Sequence, residues 1–246
     1  MRVTLLGTSA GIPIAGRAQS GILIEYSDLK FLLDCGMGIP LRLAESGVSS
    51  EEIDIICITH GHLDHIQDLP SLTKASWLKT GRAAFKIILP KGLKKRLKAI
   101  WKMLDEYDRL QVQFNEIGPG EKFRNEDGVM IRAFRTQHTD MSLGYSITKD
   151  DKKIVYSGDG APSSNLKKYA EGSDILIHEL SEEEESEYHT DPEGLIKEIK
   201  DLEIEKLVLT HFYPGIEKKI EKIAQRIEKE TKIATVAGKD LKSFDI

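Results

Sequence analysis

Cysteine is scarce in this chain: Cys35 and Cys57 are the only two in 246 residues, and they sit in unrelated apolar contexts. That number cannot build a disulfide framework, and it points to reduced thiols in the cytoplasm. Long apolar runs are missing too; nothing approaches the roughly 20 residues that span a bilayer, so no membrane partner is expected. The opening "MRVTLLGTSAGIP" has neither the apolar core nor the small-residue cleavage site of a secretory leader. No Pro/Ser-rich linker or repeat interrupts the pattern, and the one biased tract is short and acidic. We therefore read residues 1–246 as one domain. Excess positive charge is also lacking, and a net charge of −5 gives no overall invitation to nucleic acid.

What is present suits a globular protein, with 40% apolar and 30% charged residues. Charge is spread unevenly. Residues 79–102 carry nine Lys or Arg and no acid, whereas "SEEEESE" (181–187) is acidic. Within the basic stretch, apolar residues at 93, 97, 100, 101 and 104 predict a helix with a solvated basic face. A binding strip for phosphates is the alternative reading of the same stretch.

Strand-like and helix-like segments alternate along the chain. "RVTLLG", "GILIEY" and "KFLLDCG" predict N-terminal strands in hairpins, and "DIICIT" a fully apolar strand. "FKIILP", "VQFNEI", "VMIRAF", "LGYSIT", "KIVYSG", "DILIHE" and "KLVLTH" extend the series. Helices are predicted over 66–79, 91–104, 163–171, 191–201 and 216–230. The last follows from Ile216, Ile220, Ile223 and Ile227 on one stripe. Thr190 and Glu193 have capping-box spacing at the start of the fourth. The class is α/β, with sheets inside, helices outside and strand ends delivered to loops.

The seven histidines are not scattered. His60, His62 and His65 crowd with Asp64 into "HGHLDH" after an apolar strand. His138 ("FRTQH"), His178 ("LIHE") and His211 ("LTHF") stand inside or just beyond others, as do Asp34 ("FLLDCG") and Asp159 ("VYSGD"). Imidazole nitrogens with carboxylate oxygens suit a borderline divalent ion such as Zn²⁺, with Mn²⁺ or Fe²⁺ as alternatives, better than an oxygen-only cage. The four donors of residues 60–65 fit one tetrahedral ion poorly, and a turn that divides them between two neighbouring ions is easier. Two such ions arm a water as nucleophile and stabilise charge on attacking and leaving oxygens.

The pattern His60-x-His62-x-Asp64-His65, followed by His138, Asp159 and His211, resembles the metallo-β-lactamase superfamily. The resemblance implies a four-layer αββα sandwich with a dinuclear site at one sheet edge. It implies that His60, His62 and His138 hold one ion, that Asp64, His65 and His211 hold the other, and that Asp159 bridges. Asp34 matches the aspartate that orients the histidine loop from behind.

Three stretches narrow the resemblance. "LLGTSAGIPIAGRAQSGILIE" is similar to the N-terminus of ribonuclease Z, which trims transfer RNA precursors. "DILIHEL" is similar to its strand ending in His-Glu-Ala-Thr, and "YHTDPE" to its His-Ser-Thr loop. These imply that Glu179 polarises His189 as general acid for the leaving oxygen; from the chemistry of phosphodiester cleavage, Asp64 is the candidate to guide the water's proton. They also imply a homodimer. Arg17, Ser20 and His178 are expected substrate contacts; for Arg17 and Ser20 an ordinary turn role, and for His178 a buried structural role, are the competing readings.

The chain also departs from that family. His138 and Asp159 are 21 residues apart, room for a hairpin and not for the family's flexible RNA-gripping arm. Leu-Ser replaces Ala-Thr after Glu179, and the acidic run precedes His189, where a polyanion would be repelled. RNA and a small phosphodiester thus both stand as substrates. A lactone, thioester or other carboxylic ester is the alternative, one that leaves Glu179 and His189 without a purpose. A di-iron oxidoreductase fits less, since that branch has glutamate where His62 stands. A non-catalytic metal-binding module is opposed by every donor position being filled.

Overall fold

The computed structural model describes residues 1–104 and 112–246. They form two compact units, Met1–Ile117 with Lys239–Asp245, and Gly118–Gly238. Each is built on one mixed seven-stranded sheet.

The first unit's strands are β1 (Arg2–Gly7), β2 (Gly21–Tyr26), β3 (Leu29–Leu33), β4 (Ile55–Cys57), β5 (Lys86–Pro90), β6 (Gln113–Ile117) and β14 (Ser243–Asp245), in the order β14-β1-β2-β3-β4-β5-β6. β14 to β3 pair antiparallel, and β3 to β6 pair parallel. Among the parallel strands, central β4 (IIC) is apolar throughout because both its faces are covered, whereas the edge strand β6 (QFNEI) is partly exposed. Helices α1 (Ile39–Glu45), α3 (Leu69–Thr80) and α4 (Leu93–Met103) bury Ile39, Leu43, Leu69, Leu72, Leu93, Leu97 and Trp101 in the core that also holds Leu32, Ile56 and Ile87. Short α2 (Leu63–Ile66) lies within the histidine loop.

The second unit orders β13 (Ala234–Ala237), β12 (Ile204–Thr210), β11 (Ser173–Glu179), β10 (Lys152–Tyr156), β9 (Leu143–Lys149), β8 (Met130–Arg135) and β7 (Lys122–Arg124) in one sheet. Here β13 to β10 run parallel, and β10 to β7 antiparallel. Its helices are α5 (Ser164–Ala170), α6 (Pro192–Ile199), α7 (Pro214–Glu217) and α8 (Ile220–Thr231). Two mixed sheets flanked by helices define the metallo-β-lactamase fold of the α/β class.

Three expectations are corrected, and some elements were not expected. The capping-box spacing of Thr190 and Glu193 is not used: Asp191 is the N-cap, accepting from the Glu193 and Gly194 N–H groups, and the Thr190 hydroxyl donates to Gly160 C=O at 2.7 Å. The isoleucine stripe does not ride one helix, because a turn at Lys218–Lys219 separates α7 from α8. The apolar face of α4 is narrower than its sequence suggests, with Ile100 and Leu104 38% and 52% exposed. Finally, α1, β7, β13 and β14 have no counterpart in the predicted elements.

Candidate metal centre

In the first unit, the site begins where β3 and β4 end side by side. Asp34 follows β3 in the left-handed region, φ 61°, and its N–H donates to Cys57 C=O at 2.9 Å. This turns the carboxylate under the histidine loop. Asp34 Oδ1 accepts the Thr59 N–H at 2.8 Å, and Oδ2 accepts the Thr59 hydroxyl at 2.9 Å and the His65 Nδ1–H at 2.8 Å. Because the Thr59 proton goes to the carboxylate, the His60 Nδ1–H donates to Thr59 Oγ1, 3.0 Å away. Both rings are thereby fixed in the tautomer that leaves Nε2 as the lone-pair nitrogen. His65 Nε2 faces Asp64 Oδ2 at 3.6 Å. The ring centroids of His62 and His65 lie 4.5 and 4.2 Å from that of His60. His60 and His65 are buried, Asp64 half-buried and His62 exposed. Gly36 permits the close packing: a Cβ there would meet the Asp64 carbonyl oxygen at 2.1 Å.

In the second unit, His138 Nδ1–H donates to Tyr188 C=O at 2.9 Å. His211 stands at the end of β12 with φ 62°, its Nδ1 2.8 Å from Ser181 Oγ. Asp159 Oδ2 lies 3.8 Å from His138 Nε2 and 3.3 Å from His211 Nε2. With the Nδ1 atoms of both rings engaged elsewhere, two imidazole Nε2 atoms and a carboxylate oxygen face one another. Two imidazole nitrogens and a carboxylate oxygen converging on one point are the donor set that fits a divalent ion.

Beside this set, Glu179 ends β11, fully buried. It accepts three hydrogen bonds: from Gly160 N–H at 2.8 Å, from His189 Nδ1–H at 2.9 Å and from the Ser181 hydroxyl. Burial works to lower the His189 pKa, but the Glu179 carboxylate outweighs it and carries the imidazole up to about 9. Ligand atoms of Glu179, His189 and His211 also lie within 4.8 Å of one another, and the direct His189–Glu179 hydrogen bond already joins two of the three. An open cleft of about 600 Å³ beside His138 is lined by Arg135, Gln137, Thr139 and Asn165.

The expected substrate contacts stand as follows. Arg17 donates to Thr8 Oγ1 at 2.6 Å, and Ser20 Oγ lies 3.5 Å from His65 Nε2. His178 is only 2% exposed; its Nδ1–H donates to Glu179 C=O at 2.6 Å, and burial lowers its pKa. That places it inside the sheet and gives it a supporting position. Thr59, Ser181 and Glu198, which lie against Asp34, His211 and His178, are not among the expected residues. A lone hydroxyl carries no spacing signal, though Ser181 fills a place in the His-Glu-Leu-Ser string.

The fold and these donor sets define a class, the metal-dependent hydrolases. The chain belongs to the β-lactamase superfamily, whose domain it matches over residues 30–212. It is 30% identical to ribonuclease Z of Mycobacterium sp. (strain KMS), over 88% of this chain and 85% of the relative. Among solved structures it is similar to the metallo-β-lactamase fold protein YhfI from Bacillus subtilis, with TM-score 0.86 and 21% identity over 99% of this chain and 98% of that one. Human tRNase Z, short form, gives TM-score 0.81 and 24% identity over 100% and 99%.

Proposed function

We propose that the chain is a dinuclear phosphodiesterase of ribonuclease Z type, acting as a single hydrolase domain over residues 1–246. In this reading, His60, His62, Asp64, His65, His138, Asp159 and His211 hold two divalent ions, with zinc the expected metal. When bound, the ions supply charge neutralisation at the phosphoryl oxygens and lower the pKa of water so that it attacks near neutral pH. Support for one domain comes from the superfamily match, which runs across the boundary between the two units. Support for the bridging role of Asp159 comes from its one oxygen facing both His138 and His211.

The observation that carries the phosphodiesterase reading is the His189–Glu179 hydrogen bond of 2.9 Å. Phosphodiester cleavage expels an alkoxide, which needs a proton. His189 holds one proton on Nδ1 against Glu179 and carries the other on Nε2, ready for the leaving oxygen. Asp64 takes the proton of the attacking water. A carboxylic ester hydrolase would give this pair much less to do.

RNA and a small phosphodiester remain the two substrate classes. The interval between His138 and Asp159 is filled by the β9–β10 hairpin, which favours the smaller substrate, whereas the ribonuclease Z relative favours RNA. A cytoplasmic location and a homodimer belong to the same reading. The test compares a chromogenic bis-aryl phosphate, a transfer RNA precursor, a lactone and a thioester. Turnover of a phosphodiester is expected, and turnover confined to the last two refutes the proposal. H189A is expected to slow alkyl phosphodiesters by about 10²–10⁴-fold and aryl ones far less; equal slowing of both contradicts the acid role.

A further inference from the structure

We propose that Ser181 is a positioning residue that couples the proton donor His189 to the metal ligand His211 through Glu179. The inference rests on the function proposed above and adds a residue which that reading did not contain.

Ser181 is 2% exposed and lies two residues beyond the end of β11. Its Oγ has three neighbours: Glu179 Oε2, the Nδ1 of His211 at 2.8 Å, and the His211 carbonyl oxygen at 2.9 Å. The hydroxyl has one proton to give and lone pairs to receive. A carboxylate is the stronger acceptor, so the proton goes to Glu179 Oε2, and the His211 carbonyl takes at most a lesser share. Nδ1 of His211 must then be the donor to Oγ. The consequence is a fixed tautomer, with Nδ1 protonated and the Nε2 lone pair directed at Asp159 Oδ2, 3.3 Å away.

The same hydroxyl touches both the ring and the main chain of a residue held at φ 62°. A left-handed histidine stores strain that its surroundings must over-determine, and Ser181 contributes to that at both ends of the residue. The other half of the link is Glu179. Its Oε2 holds Ser181 and its Oε1 holds both His189 and the Gly160 N–H, next to Asp159. One carboxylate therefore sets the acid, a metal ligand and the peptide beside the bridging aspartate. A hydroxyl at 181 is what the link requires. The change from Ala-Thr to Leu-Ser keeps that group, so by this argument it is no loss of function.

The test holds volume constant and removes the hydroxyl. S181T keeps the group, whereas S181V has the same shape without it. Zinc affinity, measured by competition with a chromogenic chelator, is expected within about twofold of wild type for S181T and weaker by about 10-fold or more for S181V. In ring ¹⁵N–¹H spectra, the exchange-protected Nδ1–H signal of His211 is expected in wild type and S181T and lost in S181V. Equal zinc affinity in S181T and S181V, with the signal kept in both, overturns the proposal and leaves Ser181 as packing. If wild type takes up no divalent ion, the metallohydrolase reading fails instead, and the Nδ1–H signal still decides the Ser181 link in the metal-free protein.

Discussion

Asp34 holds the loop that carries the proposed ligands, accepting from the Thr59 N–H, the Thr59 hydroxyl and the His65 Nδ1–H. Removing it frees the His65 ring and lets the proton on Thr59 turn elsewhere. D34A is expected to weaken zinc binding by about 10–100-fold, read by chelator competition, and unchanged affinity would contradict the role. Glu198 makes a different prediction. It is a buried residue of α6, with Oε1 accepting the Ser163 N–H at 2.6 Å and Oε2 4.0 Å from His178 Nε2. Burial raises its pKa from 4.5 to about 7. The folded state thus holds this proton more tightly than the unfolded state does. Its contribution to stability is full below pH 4.5 and is lost as pH rises through 7. E198Q, which keeps the hydrogen-bond acceptor and cannot ionise, should be the more stable protein at pH 8, by at most about 3 kcal/mol. Thermal melts at pH 5 and pH 8 check this, and identical pH dependence in both proteins refutes it. At this scale the sequence was most legible where chemistry is rare. Histidines at strand exits announced themselves, while Thr59, Ser181 and Glu198 needed the fold to show what they touch.

At the scale of elements, what the sequence hid has a common cause. β7, β13 and β14 are edge strands, written KFR, ATVA and SFD. An edge strand of three or four residues pairs on one side and needs little apolar character, so periodicity cannot announce it. The central strands, buried on both faces, were plain. α1 hid for another reason: at seven residues it shows one apolar repeat, Ile39 and Leu43, too short for a stripe. The α6 cap shows why spacing alone misleads. Two side chains in a row could cap the helix, and Asp191 does so because Thr190 is turned to the Gly160 carbonyl. D191A is therefore expected to cost about 1 kcal/mol in urea unfolding, and wild-type stability in that variant would contradict the assignment.

For the whole molecule, the superfamily match spans residues 30–212, and each unit carries some of the ligands proposed above. The first supplies the histidine loop from the end of β4; the second supplies His138, Asp159 and His211 beyond the ends of β8, β10 and β12. Global charge separates the substrate classes. A chain of net charge −5 must concentrate cations locally to hold RNA, and the stretch from Lys79 to Lys102 is where it has them. Five of them, Lys94, Lys95, Arg96, Lys98 and Lys102, lie on α4, whose buried face is Leu93, Leu97 and Trp101.

The most direct measurement is the metal content of the purified protein after equilibration with Zn²⁺ or Mn²⁺ and removal of excess, by elemental mass spectrometry. The account predicts about two ions per chain, falling below one in a variant with Asp159 and His211 both replaced by alanine. A wild-type protein that retains no ion, or one only, would contradict it.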